Sequence, residues 1–253
     1  MSDDAYRGQI VWIVGASSGI GAALARELSA QGAILALSSR RTDELERLKA
    51  ALGPQHGVFA LDVTDAAMTL RTAQAVQAAH GRIDRIVFLA AAYAPMKMDA
   101  FDSAAAKSIV DVNITGAFNL VHAVLPILRS QPSKAQLALC ASVAGYVGLP
   151  GGQPYSATKA AIINLAESLH AECGDGIDIK LISPGFVRTP LTDKNNFEMP
   201  MIVEPEQAAQ EIARGLLARG FEIHFPKRFT FLMKLLRLLP YALSLPLTRK
   251  IRV

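Results

Sequence analysis

The chain has 253 residues, 51% of them hydrophobic and 19% charged, and a formal net charge of +4. This length and apolar content suit one large α/β domain and exclude a disordered chain. The charge is unevenly spread. Lys227, Arg228, Lys234, Arg237, Arg249, Lys250 and Arg252 all follow the last acid, Glu222, so a mildly acidic body carries a basic tail. That asymmetry argues against a general nucleic-acid-binding surface and for a local role of the tail.

Cys140 and Cys173 stand far apart, as buried thiols of a reduced, cytoplasmic protein do. The five histidines are scattered, so no metal site is expected. The opening "MSDDAYRGQ" is acidic and polar, unlike a signal peptide, and no uninterrupted apolar run is expected to span a bilayer.

Short apolar runs alternate with helical patterns along the chain. "QIVWIVGA" reads as a buried strand and "GIGAALARELSAQG" as a helix ending at Gly32. "AILALSS" is a second strand, and a helix follows from Thr42 with acids in its first turn. "GVFALDV" and "IDRIVFLAA" are the third and fourth strands, with the helix "DAAMTLRTAQAVQAAHG" between them. "SAAAKSIVDVNITGAFNLVHAVLPILRS" is a long helix, expected to bend near Gly116. "AQLALCAS", the helix "YSATKAAIINLAESLHAEC" and the strand "IDIKLISPG" come next, then the helix "EPEQAAQEIARGLLARG" and a seventh strand, "FEIHFP". Strands that are apolar throughout, each followed by a helix, predict a parallel sheet covered on both faces. The expected architecture is a single doubly wound, Rossmann-like α/β domain over residues 1–226, with residues 227–253 as a basic amphipathic extension of it. Ligands of such sheets bind at the carboxyl ends of the strands.

"GASSGIG" puts Gly15, Gly19 and Gly21, with Ser17, Ser18 and Ile20, between the first strand and the first helix. Glycines let the backbone approach a pyrophosphate, and the helix start supplies free N–H groups and partial positive charge. The same residues also make a plain turn. At the end of the second strand, where an acid would hold the ribose 2′-OH of NAD, the chain has Ser39, then Arg40 and Arg41. A hydroxyl and guanidinium groups suit the 2′-phosphate of NADP, although arginines on a solvated loop look the same in sequence. Asp62, followed by Val63, is placed to meet the adenine amine or to cap its own turn.

The helix after Pro154 carries Tyr155 and Lys159 at i and i+4, on one face. An ammonium beside a phenol favours the phenolate, which makes tyrosine usable as a general acid and base. Ser142 follows a buried strand at the carboxyl edge of the sheet, where its hydroxyl can meet a substrate carbonyl.

"VGASSGIG", "LDV", "VNITGAFN", "CASVAGYVGLPGGQPYSATKAA" and "ISPGFVRTPL" together resemble the motifs of the short-chain dehydrogenases/reductases, over about residues 8 to 192. The resemblance implies hydride transfer between a nicotinamide cofactor and an alcohol or carbonyl. NADP(H) is favoured and NAD(H) remains open. It implies Tyr155 as acid/base, Ser142 as oxyanion partner, Lys159 as ribose ligand, and Asn113 as the asparagine that holds a relay water. Ala90 would flank the nucleotide, and Pro184, Gly185, Val187 and Thr189 would hold the nicotinamide carboxamide. A homodimer or homotetramer is implied as well. The pattern departs at "FLAAA", where Phe88 and Leu89 stand at the positions of two family asparagines, and at Val14, which replaces a threonine. A nucleotide-binding regulatory protein that kept the fold is the alternative reading.

Residues 190–203 fall where the family covers its substrate, and Phe197, Met199 and Met201 make that loop apolar. In the tail, Lys227, Thr230, Lys234 and Arg237 form a narrow polar stripe on an otherwise apolar helix that Pro240 ends. Packing over the cleft or on a second subunit is the main expectation, and peripheral contact with an anionic membrane the secondary one.

Overall fold

A computed structural model describes residues 4–249. Lys250 and Arg252 of the expected basic tail lie outside the described residues. The sheet comprises β1 (Ile10–Val14), β2 (Ile34–Ser39), β3 (Gly57–Ala60), β4 (Arg85–Phe88), β5 (Ala135–Cys140), β6 (Ile177–Pro184) and β7 (Glu222–Phe225). The strands are paired in the order β3-β2-β1-β4-β5-β6-β7, and every pairing is parallel. The helices α1 (Gly19–Ala30), α2 (Thr42–Leu52) and α3 (Ala66–His80) connect the first four strands. α4 (Ser103–Val110), α5 (Gly116–Ser130), α6 (Tyr155–Cys173) and α7 (Pro205–Leu217) connect the rest, and α8 (Lys227–Leu238) and α9 (Tyr241–Arg249) close the chain.

β1 explains why the apolar runs become central strands. All five residues are buried, with Val11 and Ile13 in one core layer and Trp12 and Val14 in the other. A strand without a polar face has no stable place at a solvated edge. The indole of Trp12 donates to Ser38 Oγ at 2.9 Å, so its one polar atom is satisfied inside the core. The third strand is shorter than its apolar run: pairing stops at Ala60, and Leu61 only donates its N–H to Ser39 O at 3.1 Å. β3 is an edge strand, so "LDV" turns away and is free to face the crevice.

The strand order reverses between β1 and β4, and that switch point opens a crevice at the carboxyl ends of the strands. The expected bend of the long helix is a π-helical turn at Asp111–Thr115, between α4 and α5. One extra residue in the turn re-aims Asn113 into the interior. By length and composition alone the continuous helix Ser103–Ser130 could cross a membrane, although Lys107, Asp111 and Arg129 interrupt its apolar residues. Its inward side nevertheless belongs to the core through Ala117, Leu120, Val124 and Leu128.

The tail adds a half-buried polar cluster beside β7. Lys234 Nζ lies 2.5 Å from Glu222 Oε2, and the Tyr146 phenol donates to the same carboxylate. Burial raises the Glu222 carboxyl, but hydrogen bonds from Lys234 and Tyr146 outweigh it and the net shift is downward. A carboxyl held low in the folded state stabilises fully above its ordinary value of 4.5, and the stabilisation is lost as pH falls through the folded value. Glu222→Gln is therefore expected to lower the melting temperature at neutral pH. Thermal melts of the two proteins should converge as the solution is acidified; a constant difference would place the effect in packing rather than in charge.

Candidate active site

The crevice has a volume of about 450 Å³ and is lined by the glycine loop, the ends of β2 to β6, and the start of α6. Gly15, Ser17, Ser18, Gly19, Ile20, Gly21, Ser39, Arg40, Arg41, Asp62, Val63 and Ala90 form one end of it. Ser142, Tyr155, Lys159, Pro184, Gly185, Val187 and Thr189 form the other. Asn113 does not line it.

The glycine loop is built by close contacts. Gly15 has φ +100°, and a Cβ there would lie 2.7 Å from Ala90 N, so only glycine lets β1 turn against the end of β4. The following residues open α1, whose first N–H groups face the crevice. Arg41 reaches across from β2: its Nη2 donates to Ser17 Oγ at 3.0 Å and to Ser18 Oγ at 2.6 Å. A guanidinium and two hydroxyls thus converge near Ser39 at the end of β2. Asp62 takes the turn-capping alternative, accepting from Thr64 N at 3.0 Å and Thr64 Oγ1 at 2.8 Å while still lining the crevice.

Phe88 and Leu89 leave the strand spacing intact. Phe88 is a core residue, and Leu89 N donates to Val14 O at 2.8 Å.

At the other end, Ser142 caps a short turn over Val143–Gly145 by accepting from Ala144 N at 3.2 Å. Tyr155 is the first residue of α6, and Lys159 follows one turn later, buried. Lys159 Nζ donates to Cys140 O at 2.8 Å and lies 5.5 Å from the centroid of the Tyr155 ring. Burial pushes the Tyr155 phenol well above the usual tyrosine range; Cys140 adds to the rise, and a hydrogen bond with Ser142 opposes it. The expected depression of that pKa by Lys159 is not what this geometry gives. Burial dominates, and it also lowers the pKa of Lys159, which weakens the ammonium.

Asn113 sits behind the site. Its Oδ1 accepts from Ala92 N at 2.7 Å, and its Nδ2 donates to Ala92 O at 3.0 Å and Thr158 Oγ1 at 2.9 Å. The side chain thereby fixes the segment after β4 against the helix that carries Tyr155.

An apolar cavity of about 340 Å³ meets the crevice at Ser142 and Tyr155. Phe186, Phe197, Leu149 and Phe229 line it, together with Tyr93. Tyr93 packs edge-on against Tyr155 with ring centroids 5.0 Å apart and donates to Asn195 Oδ1 at 2.6 Å. Sequence reasoning missed Tyr93 and Thr192. The only signal for Tyr93 was an aromatic just beyond a strand's carboxyl end. Thr192 Oγ1 donates to Val187 O at 2.7 Å and accepts from Thr189 N at 3.0 Å, so it shapes the expected carboxamide segment.

The short chain dehydrogenase family model matches residues 9–199. The chain belongs to the short-chain dehydrogenase/reductase family. A Myxococcus xanthus protein described as an uncharacterized oxidoreductase is 32% identical over 256 residues, covering all of both chains. A short chain dehydrogenase/reductase from Burkholderia phymatum, solved in complex with NAD, shares the fold with a TM-score of 0.79 at 22% identity, over 93% of this chain and 94% of that one. A 3-ketoacyl-(acyl-carrier-protein) reductase from Brucella melitensis, complexed with NADH, shares it with a TM-score of 0.78 at 20% identity, over 87% and 97% respectively. As a short-chain dehydrogenase/reductase the protein is an oxidoreductase of CH–OH groups with a nicotinamide cofactor.

Proposed function

We propose that the protein transfers hydride between NADP(H), in preference to NAD(H), and the carbonyl or secondary alcohol of an apolar substrate, with Tyr155 as the proton donor and acceptor. The observation that carries this reading is the meeting of two cavities at Ser142 and Tyr155. The nicotinamide, when bound, supplies or accepts the hydride. In the reductive direction the Tyr155 phenol gives its proton to the carbonyl oxygen, which the Ser142 hydroxyl also holds. The phenolate left behind lies next to the Lys159 ammonium. Burial keeps the phenol protonated through the neutral range, which suits reduction. Asn113 acts from behind by holding the 91–93 segment in place. The apolar lining from Phe186, Phe197 and Tyr93 favours an apolar body next to the reacting carbon.

The cofactor preference rests on Arg41 and its two serine partners, with Arg40 beside them. One charge-assisted contact set to a phosphate contributes about 1.5–3 kcal/mol, or about ten- to a hundredfold in affinity. Arg41→Ala is expected to weaken NADPH binding by that factor and to leave NADH binding nearly unchanged, as read by fluorescence titration. Equal affinities of the unmodified protein for NADPH and NADH would remove this preference from the reading.

A further inference from the structure

The tail helices leave large apolar side chains in the open. On α8 the buried positions are Phe229, Thr230 and Met233; of the polar stripe, Thr230 and Lys234 turn toward the body while Lys227 and Arg237 stay exposed. Thr230 Oγ1 bonds His224 Nδ1 at 2.6 Å, and Lys234 is held by Glu222. The outward side carries Phe231 (59% exposed), Leu232, Leu235 and Leu238 (80% exposed). α9 repeats the arrangement. Its hydroxyl residues Ser244 and Thr248 are buried, while Tyr241, Leu243, Leu245 and Leu247 are exposed. Two successive helices thus each display an apolar outward face. A soluble monomer rarely exposes such a face.

Charge identifies the occupant. Lys227, Arg228, Arg237 and Arg249 are exposed on the same two helices, and no Asp or Glu follows Glu222. A two-fold contact with a second copy would set these cations against themselves. An anionic surface would neutralise them. α8 has 12 residues, about 18 Å of helix, against about 30 Å for a bilayer core, so the segment lies along a surface rather than across it. We propose that α8 and α9 dock the protein in the interface plane of an anionic lipid bilayer, leucines inserted and basic side chains at the headgroups. Phe229, on the inner side of α8, lines the apolar cavity, so the docked face and the cavity share one helix.

The test is co-sedimentation of the full chain with phosphatidylcholine vesicles, with and without phosphatidylserine, at low and high salt. The protein is expected to partition onto the phosphatidylserine vesicles and to leave them as salt rises. Leu235→Glu/Leu238→Glu should reduce partitioning at least about tenfold with an unchanged melting temperature, because both side chains are exposed. Arg228→Gln/Arg249→Gln should reduce it about fivefold per charge on anionic vesicles only. Failure to sediment with phosphatidylserine vesicles would overturn the proposal. So would vesicle binding unaffected by the double glutamate variant. A stable dimer in light scattering that the same variant splits would assign the face to a second copy and overturn it equally.

Discussion

Tyr155→Phe is expected to reduce carbonyl turnover by about 10²–10⁴-fold, the usual worth of a positioned general acid. The substitution deletes one oxygen and keeps the ring, so the edge contact with Tyr93 at 5.0 Å and the start of α6 survive. Nucleotide affinity should stay nearly intact, because the glycine loop and Arg41 sit at the other end of the crevice. The pH profile adds a second readout. Reduction needs the phenol protonated, and burial raises its folded pKa, so the reductive rate should be flat through neutral pH and fall only in strong alkali. Oxidation of an alcohol needs the phenolate, so that direction should quicken as pH rises. Turnover by the phenylalanine variant at the unmodified rate would remove Tyr155 from the chemistry.

Gly145→Ala is expected to damage catalysis without touching a reacting group. A Cβ on Gly145 would lie 2.6 Å from the carbonyl carbon of Lys159 and 2.8 Å from Ala160 N, both backbone atoms of α6. Neither can rotate away. The Val143–Gly145 turn must retreat from the helix and carry Ser142, its cap, with it. Overpacking of this kind costs about 1–3 kcal/mol of stability. A displacement near 1 Å between Ser142 and Tyr155 costs about 10²-fold in kcat. Melting temperature and kcat should fall together while NADPH affinity holds. An alanine variant with unchanged kcat would mean that the turn and helix are not tightly coupled.

Much of this arrangement is legible in the sequence. Seven apolar runs became seven parallel strands, and the glycine loop, Ser142, Tyr155 and Lys159 all reach one crevice. These signals are local: a run, a spacing, an i,i+4 pair. Asn113 is different. Its position behind the site depends on a π-helical turn, and its partners Ala92 and Thr158 are distant in sequence. Tyr93 meets Tyr155 only because β4 and α6 end at the same edge of the sheet. The tail is the sharpest case. Periodicity gathers Thr230 and Lys234 on one face but does not say which face turns inward. Glu222 and His224 hold Lys234 and Thr230 toward the body, beside the buried Phe229 and Met233, and Leu232, Leu235 and Leu238 stay outside. The same limit applies to the Tyr155 pKa. Spacing brings Lys159 near, but the depth of burial decides the direction of the shift.

The most direct test of the central claim is oxidation of NADPH by the unmodified protein across a panel of apolar ketones and aldehydes, followed by the loss of reduced-nicotinamide absorbance. The account predicts turnover with at least one apolar carbonyl compound, slower turnover with NADH, and turnover lowered about 10²–10⁴-fold for Tyr155→Phe. Tight NADPH binding with no oxidation by any carbonyl compound, and no reduction of NADP by the matching alcohols, would contradict it.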